Sequence, residues 1–478
     1  MVRRLSANRV FFAMLFYCAA FWAVSCEIPV GPGYSIEQQN ASVRLNVQGA
    51  ARLELHLEFT LRNSGDQTLQ SLEIHLPPGR GAKLEAVTVV WEGQPAGFTR
   101  QADAQGDILH IPLGEGWPVK KPRTLRIEYA IAAGEEGTAQ LAVAPDFLYL
   151  PADEWLAAPL PPRGMYARGG VPPKEWMLEV QVPGNFAVQA SGQQSGQESK
   201  GGEERIRFRQ RFPGMIPYVV AGRYRTSEFK IEPYRIEIWR KTAREEGEER
   251  RLAGEVSVAA KTYDAVFGAR EERSRPLWVA DEPAAGKEPA PADFAFTPTA
   301  AEGQANPEAE GRKIAESLAK GWLGYGLGFD PAAGAQPMAS LAGYAGCLAR
   351  EAVRGPGARR ELIEEGLRKY EAEKKEMEAG GGSAAGEKKA MQGMDGQSPW
   401  KNFLFFFALE DQFGRDKVHA ALQHMVQARR GRGYDLRDLI AALEQETHRN
   451  VAEFVRGWLK HPGIAGDFRA RYETAPAQ

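Results

Sequence analysis

Metal grip and proton transfer near neutral pH both call first on imidazole. The 478-residue chain has seven histidines: His56, His75, His110, His419, His424, His448 and His461. None lies between positions 111 and 418. No two have the H-x-x-x-H spacing that sets a pair of imidazoles on one helical face. His419 and His424 are five apart, which turns them off a shared face, and both read as polarity on a helix surface. Ser317 and Lys320 spell S-x-x-K, a serine and an amine that are both nucleophile candidates. Glu316 and Lys320 stand at i and i+4 with the acid first, the favourable order for a helical ion pair. Three cysteines cannot form a disulfide framework, and Cys347, in an apolar helical stretch, reads as a small packing residue.

The first residues read as an address. Arg3, Arg4 and Arg9 precede the apolar run Val10–Val24, and its 15 residues fall short of the about 20 that a spanning helix needs. Residues 1–25 therefore read as a secretory signal. The run closes on Ala23-Val24-Ser25-Cys26, which resembles a bacterial lipobox with Ala23 in place of the usual leucine. On that reading Cys26 carries a diacylglycerol and holds the chain to a membrane. Ordinary cleavage near Ser25 is the alternative. Glu27 is not the aspartate that retains some lipoproteins in the inner membrane, which favours the outer one. The expected location is the cell envelope, periplasm-facing or on the surface.

The elements that must position any site follow from composition and period. With 60 Lys+Arg against 62 Asp+Glu the charges nearly cancel, so there is no electrostatic footprint for nucleic acid. A 43% hydrophobic content excludes global disorder, and the length calls for two to four domains. From Ser42 to about Lys230 the period is two: Val43, Leu45, Val47; Leu53, Leu55, Leu57, Phe59, Leu61; Leu72, Ile74, Leu76; Leu125, Ile127, Tyr129; Leu178, Val180, Val182; Ile206, Phe208. Such alternation predicts strands with one buried and one wet face. Around Ile231 the pattern becomes mixed, with a strand at 234–239, a helix over 244–267 ending at Gly268, a strand at 276–280 and a helix over 311–323. From Ser340 onward it is helical: 358–379, 400–413, 416–429, 435–447 and 451–459, the last closed by Pro462-Gly463. Gly380–Gly396 reads as a mobile loop.

This order of parts resembles the gluzincin zinc aminopeptidases, the family of membrane alanyl aminopeptidases and leukotriene hydrolases. Glu73-Ile74-His75-Leu76-Pro77-Pro78, Leu178-Glu179-Val180-Gln181-Val182-Pro183, Pro217-Tyr218-Val219-Val220-Ala221-Gly222, Asp438-Leu439-Ile440-Ala441-Ala442-Leu443-Glu444 and Phe454-Val455-Arg456-Gly457-Trp458-Leu459 resemble its segments in order, over roughly Ser42 to Asp467. The resemblance implies a multidomain α+β chain. An all-β saddle or sandwich domain would span 26–230, a degenerate thermolysin-like α/β domain 231–335, and a helical domain 336–478 with its mobile loop about 380–397.

The resemblance also implies a zinc site, and here the pattern breaks. The family carries H-E-x-x-H followed by Trp, one residue and Gly. Registered on Trp322 and Gly324, the histidine positions are Glu316 and Lys320 and the general-base position is Ser317. The third-ligand glutamate falls on Ala342 in Ser340-Leu341-Ala342-Gly343-Tyr344-Ala345, and the oxyanion-stabilising tyrosine falls near Pro399. The substrate strand Gly-Ala-Met-Glu-Asn has no counterpart near Ala280 to Phe296. The zinc of the family, and its catalysis, are expected to be lost, with no other cofactor. The Glu316–Lys320 pair either fills the vacancy or is a solvated surface pair.

Three functions remain open at this point. The leading one is an inactive, exported, lipid-anchored pseudopeptidase that binds a peptide or protein partner. The second is a hydrolase using Ser317 and Lys320, since S-x-x-K is also the motif of the penicillin-binding acyltransferases. Their S-D-N and K-T-G companions are absent downstream, and Lys241-Thr242-Ala243 lies upstream, off pattern. The third is a purely structural envelope protein whose cleft is closed by small residues at Ala315, Ala319 and Ala342.

Overall fold

The computed structural model describes residues 33–77, 83–103, 106–132, 141–151, 155–160, 173–209, 217–270, 275–281, 294–297, 307–323, 337–380, 398–429, 434–461 and 463–473. The expected signal, Cys26 and the loop after Gly380 lie outside them, as does most of 280–296, where a substrate strand would fall.

Period-two alternation builds the N-terminal part. Strands β1 (Tyr34–Asn46), β2 (Arg52–Asn63), β4 (Lys83–Trp91), β5 (Gln94–Pro95), β8 (Pro122–Ala132), β12 (Glu175–Pro183), β14 (Gln193–Lys200) and β15 (Glu203–Arg209) form one sheet in the order β14-β15-β12-β1-β2-β8-β4-β5. In its centre Val43 of β1 stands opposite Leu55 of β2 and Val180 of β12, so one face is continuously apolar. The other face carries cross-strand ion pairs such as Glu58–Arg126 at 3.0 Å and Glu179–Arg207 at 2.8 Å. Two four-stranded sheets complete this part: β11-β3-β7-β6, with β3 (Leu69–Leu76), β6 (Thr99–Asp103), β7 (Gly106–Trp117) and β11 (Ala158–Pro159), and β13-β16-β10-β9, with β9 (Ala142–Val143), β10 (Phe147–Leu150), β13 (Ala187–Ala190) and β16 (Val219–Gly222). Leu53 to Leu61 on alternate positions, Leu72, Ile74, Trp117, Trp155 and Phe208 share one core.

The middle part is a mixed sheet, β17-β18-β19-β20, of β17 (Arg225–Ile231), β18 (Tyr234–Arg240), β19 (Leu277–Asp281) and β20 (Phe294–Thr297). Strands β18, β19 and β20 are parallel. β17, on the N-terminal side of the expected division at residue 231, pairs along its length with β18. Helix α1 (Glu246–Phe267) starts with Glu246, Glu248 and Glu249, acids that suit the positive end of a helix dipole, and stops at Gly268, whose φ of 84° favours glycine. An aromatic cluster joins this sheet to the N-terminal part: Tyr149 of β10 meets Phe296 of β20 edge-on at 5.2 Å, and Phe294, beside Phe296, meets Trp239 of β18 edge-on at 5.5 Å within the middle sheet.

Helices α2 (Pro307–Leu323), α3 (Leu341–Arg354), α4 (Pro356–Gly380), α5 (Pro399–Phe413), α6 (Arg415–Ala428), α7 (Leu436–Thr447), α8 (Val451–Lys460) and α9 (Gly466–Tyr472) follow, with a 3₁₀ turn at Pro337–Ser340 before α3. Their starts are written in the sequence. Ser398 caps α5 by accepting from Lys401 N with Pro399 in the first turn, Asp435 and Asp438 form a capping box on α7, and Asn450 caps α8. The β-rich start, mixed middle and helical end match the expected α+β architecture.

Candidate functional site

Helix α2 carries the registered positions, and its neighbours hold it firmly. Ile314, Ala315, Leu318, Ala319, Trp322 and Leu323 form its buried face. Tyr263 of α1 donates its hydroxyl to the Ala315 carbonyl at 2.7 Å. Tyr434 donates to the Leu323 carbonyl at 2.8 Å, which satisfies an acceptor that the helix end leaves open. Trp322 Nε1 donates to Asp264 Oδ1 at 2.8 Å, while Tyr234 donates to the other carboxylate oxygen at 2.5 Å. The indole is edge-on to Tyr263 at 5.2 Å and lies under the Arg270 guanidinium at 5.7 Å. Glu316 is exposed, Lys320 is half-buried, and Ser317 is 3% exposed.

Helix α3 closes on this segment through glycine. A Cβ at Gly346 would stand 3.3 Å from Glu316 N, and one at Gly343 would stand 4.0 Å from Glu316 Oε1 and 3.6 Å from Phe403 Cδ2 of α5. Ala342 is buried. At the start of α3, Ser340 Oγ donates to the Pro399 carbonyl at 3.2 Å. The structure thus brings the α2 positions, Ala342 and Pro399 into one neighbourhood, although they lie far apart in the chain.

Zinc is held by imidazole, thiolate or carboxylate. Of the registered positions, Glu316 offers one carboxylate. The Lys320 ammonium and the Ala342 methyl have no lone pair to give, so these residues do not fit the ion. Among the described residues no group of three or more His, Cys, Asp or Glu is gathered so as to hold a metal.

Solved structures share this architecture. The M1 zinc metallopeptidase from Deinococcus radiodurans superposes with a TM-score of 0.59 at 16% identity, over 91% of this chain and 95% of that one. The chain shares the zinc metallopeptidase fold. Leukotriene A4 hydrolase from Saccharomyces cerevisiae superposes with a TM-score of 0.60 at 14% identity, covering 91% of this chain and 69% of that one. The yeast enzyme in complex with bestatin gives 0.61 at 14%, over 91% and 68%. No protein-family model and no curated protein matches the sequence. At these identities the likeness establishes the metallopeptidase fold.

Two polar clusters were not anticipated from sequence. At the carboxyl ends of the three parallel strands, Arg240 Nη1 donates to Asp281 Oδ1 at 2.6 Å and to Thr297 Oγ1 at 3.1 Å, tying β18, β19 and β20 together. Within the helices Glu410 of α5 is nearly inaccessible, its side chain 2% exposed. Tyr344 of α3 donates to its Oε1 at 2.6 Å, Arg359 of α4 pairs with its Oε2, and Arg415 Nε of α6 lies 3.8 Å from Oε1. The expectation for His419 as surface polarity is corrected here. Its Nε2 lies 3.3 Å from Glu410 and 3.0 Å from the Tyr344 oxygen, because α6 folds back against α5 and turns this position inward. His424 stays on the surface, 3.8 Å from Glu446. Burial alone would raise the Glu410 carboxyl. Hydrogen bonding from His419, the Arg359 charge and the Tyr344 hydroxyl outweigh it and hold the carboxyl below its usual range. Cys347, packed in the same core as expected, is pushed up to about 12 by burial.

Proposed function

We propose that this chain is an exported, lipid-anchored pseudopeptidase: a metallopeptidase scaffold kept for binding a peptide or a protein partner in the cell envelope. On this reading it carries no zinc and cleaves no peptide by the metal route. The observation that carries it is the donor set. Where the resemblance calls for imidazoles and a carboxylate, α2 and α3 offer Glu316, Lys320 and Ala342, two of which cannot bind a metal. An ammonium does not coordinate water and cannot lower its pKa as a bound dication does, so Lys320 is no substitute for the ion.

Attachment through Cys26 gives the scaffold its place, with the outer membrane favoured by Glu27. Hydrolysis of aminoacyl anilides by the purified mature chain, with zinc supplied, tests the reading. Release should equal that of buffer. Turnover that a chelator abolishes would overturn it. The intact mass of the protein from the membrane fraction tests the anchor separately: the proposal requires diacylglycerol on Cys26, and an unmodified chain starting elsewhere would contradict it.

A further inference from the structure

We propose that Glu410 is a proton-operated lock that fixes the C-terminal helices to α3 while its carboxylate is charged and releases them when it is protonated. The lock is independent of whether the chain binds peptide. Its geometry is the argument. One buried carboxylate on α5 is the meeting point of α3, α4 and α6. Tyr344 comes from α3, Arg359 from α4, and Arg415 and His419 from α6. Glu351 of α3 accepts from Arg415 at 2.8 and 2.9 Å, Tyr472 of α9 hydrogen-bonds Arg359 and donates to Asp411 at 3.0 Å, and the Cys347 thiol lies one turn along from Tyr344. Glu351 and Asp411 thus have partners of their own, and Glu410 is the anion on which Arg359 and His419 converge.

The chemistry of release follows from charge. A protonated Glu410 accepts fewer hydrogen bonds, needs an acceptor for its own proton, and leaves the half-buried Arg359 without a counter-ion, a costly state in a desolvated place. The folded-state carboxyl lies below its ordinary value, so the stabilisation is full above the ordinary carboxylate range. It is lost as pH falls through the lowered folded value. His419 and Arg415 have side chains 20% and 40% exposed, so protons reach the cluster without global unfolding.

Hydrogen exchange on the full chain, followed by peptide mass from pH 7 to pH 3, tests the lock. Corrected for intrinsic exchange rates, protection of 341–354 and 399–428 should fall by tenfold or more on acidification, while 52–63 and 122–132 in the large sheet stay protected. In Glu410→Gln the helical segments should already be at least tenfold less protected at pH 7, with no further acid step. Wild-type protection in that variant at pH 7, or an unchanged acid step, would overturn the proposal. His419→Ala, at a position whose side chain is still 20% exposed, guards against a variant that fails to fold. Losing this partner should let Glu410 protonate more readily and move the loosening to higher pH, and an unmoved transition would contradict the lock.

Discussion

The backbone of Glu316 on α2 rests directly on Gly346 of α3: a Cβ on that glycine would stand 3.3 Å from Glu316 N and 3.4 Å from its Cα. Two helices cross here closely enough that any side chain at 346 must push them apart. Gly346→Val should therefore destabilise the middle and helical parts by about 1–3 kcal/mol, the usual cost of overpacking, read as an earlier urea midpoint in tryptophan fluorescence. An unchanged midpoint would mean that α2 and α3 are free to separate.

Asp264 is the second anchor of α2. It accepts from Trp322 Nε1, Tyr234 Oη and the Arg270 backbone N–H at 2.8, 2.5 and 3.1 Å. Asp264→Ala removes the acceptor of the buried Trp322 indole N–H and breaks the bonds from Tyr234 and Arg270. A buried donor left unpaired costs about 1–3 kcal/mol, so a loss of about that size is expected in urea denaturation. Asp264→Asn, which keeps one acceptor oxygen, should lose less.

Much of this was legible in the sequence, and the limits have physical causes. Alternation at 53–61 and 125–129 announces strands because a strand with one wet face repeats every two residues. Ser398-Pro399, Asp435 and Asn450 mark helix starts because their side chains or ring suit the open N–H groups there. The sites where α2, Ala342 and Pro399 meet were reachable through family resemblance, whereas composition is silent on them. The Glu410 cluster was not legible. Its partners Tyr344, Arg359 and His419 lie 66, 51 and 9 residues from it, and each alone reads as an ordinary core or surface residue. Only the return of α6 against α5 makes them neighbours.

The aromatic seam between the N-terminal part and the middle sheet should hold the two parts as one body. Phe296 is 3% exposed and meets both Tyr149 and Phe294. Phe296→Ala should cost about 3–5 kcal/mol, as large-to-small changes of buried aromatics do, and should open the seam to limited proteolysis. Resistance equal to wild type would show that the seam contributes little.

Ser317 is 3% exposed on the packed side of α2, a poor place for a nucleophile that must meet a substrate. A fluorophosphonate probe should leave the native chain unlabelled. Stoichiometric labelling that disappears in Ser317→Ala would instead establish the serine mechanism.

The proposed function turns on Glu316, Lys320 and Ala342 being unable to hold zinc, and metal content tests it most directly. Purified mature chain, incubated with excess zinc and dialysed, should hold far less than one zinc per chain by mass spectrometry of the metal. One tightly held zinc per chain, reduced by substitution of Glu316 and accompanied by chelator-sensitive release of N-terminal residues from peptides, would contradict the account.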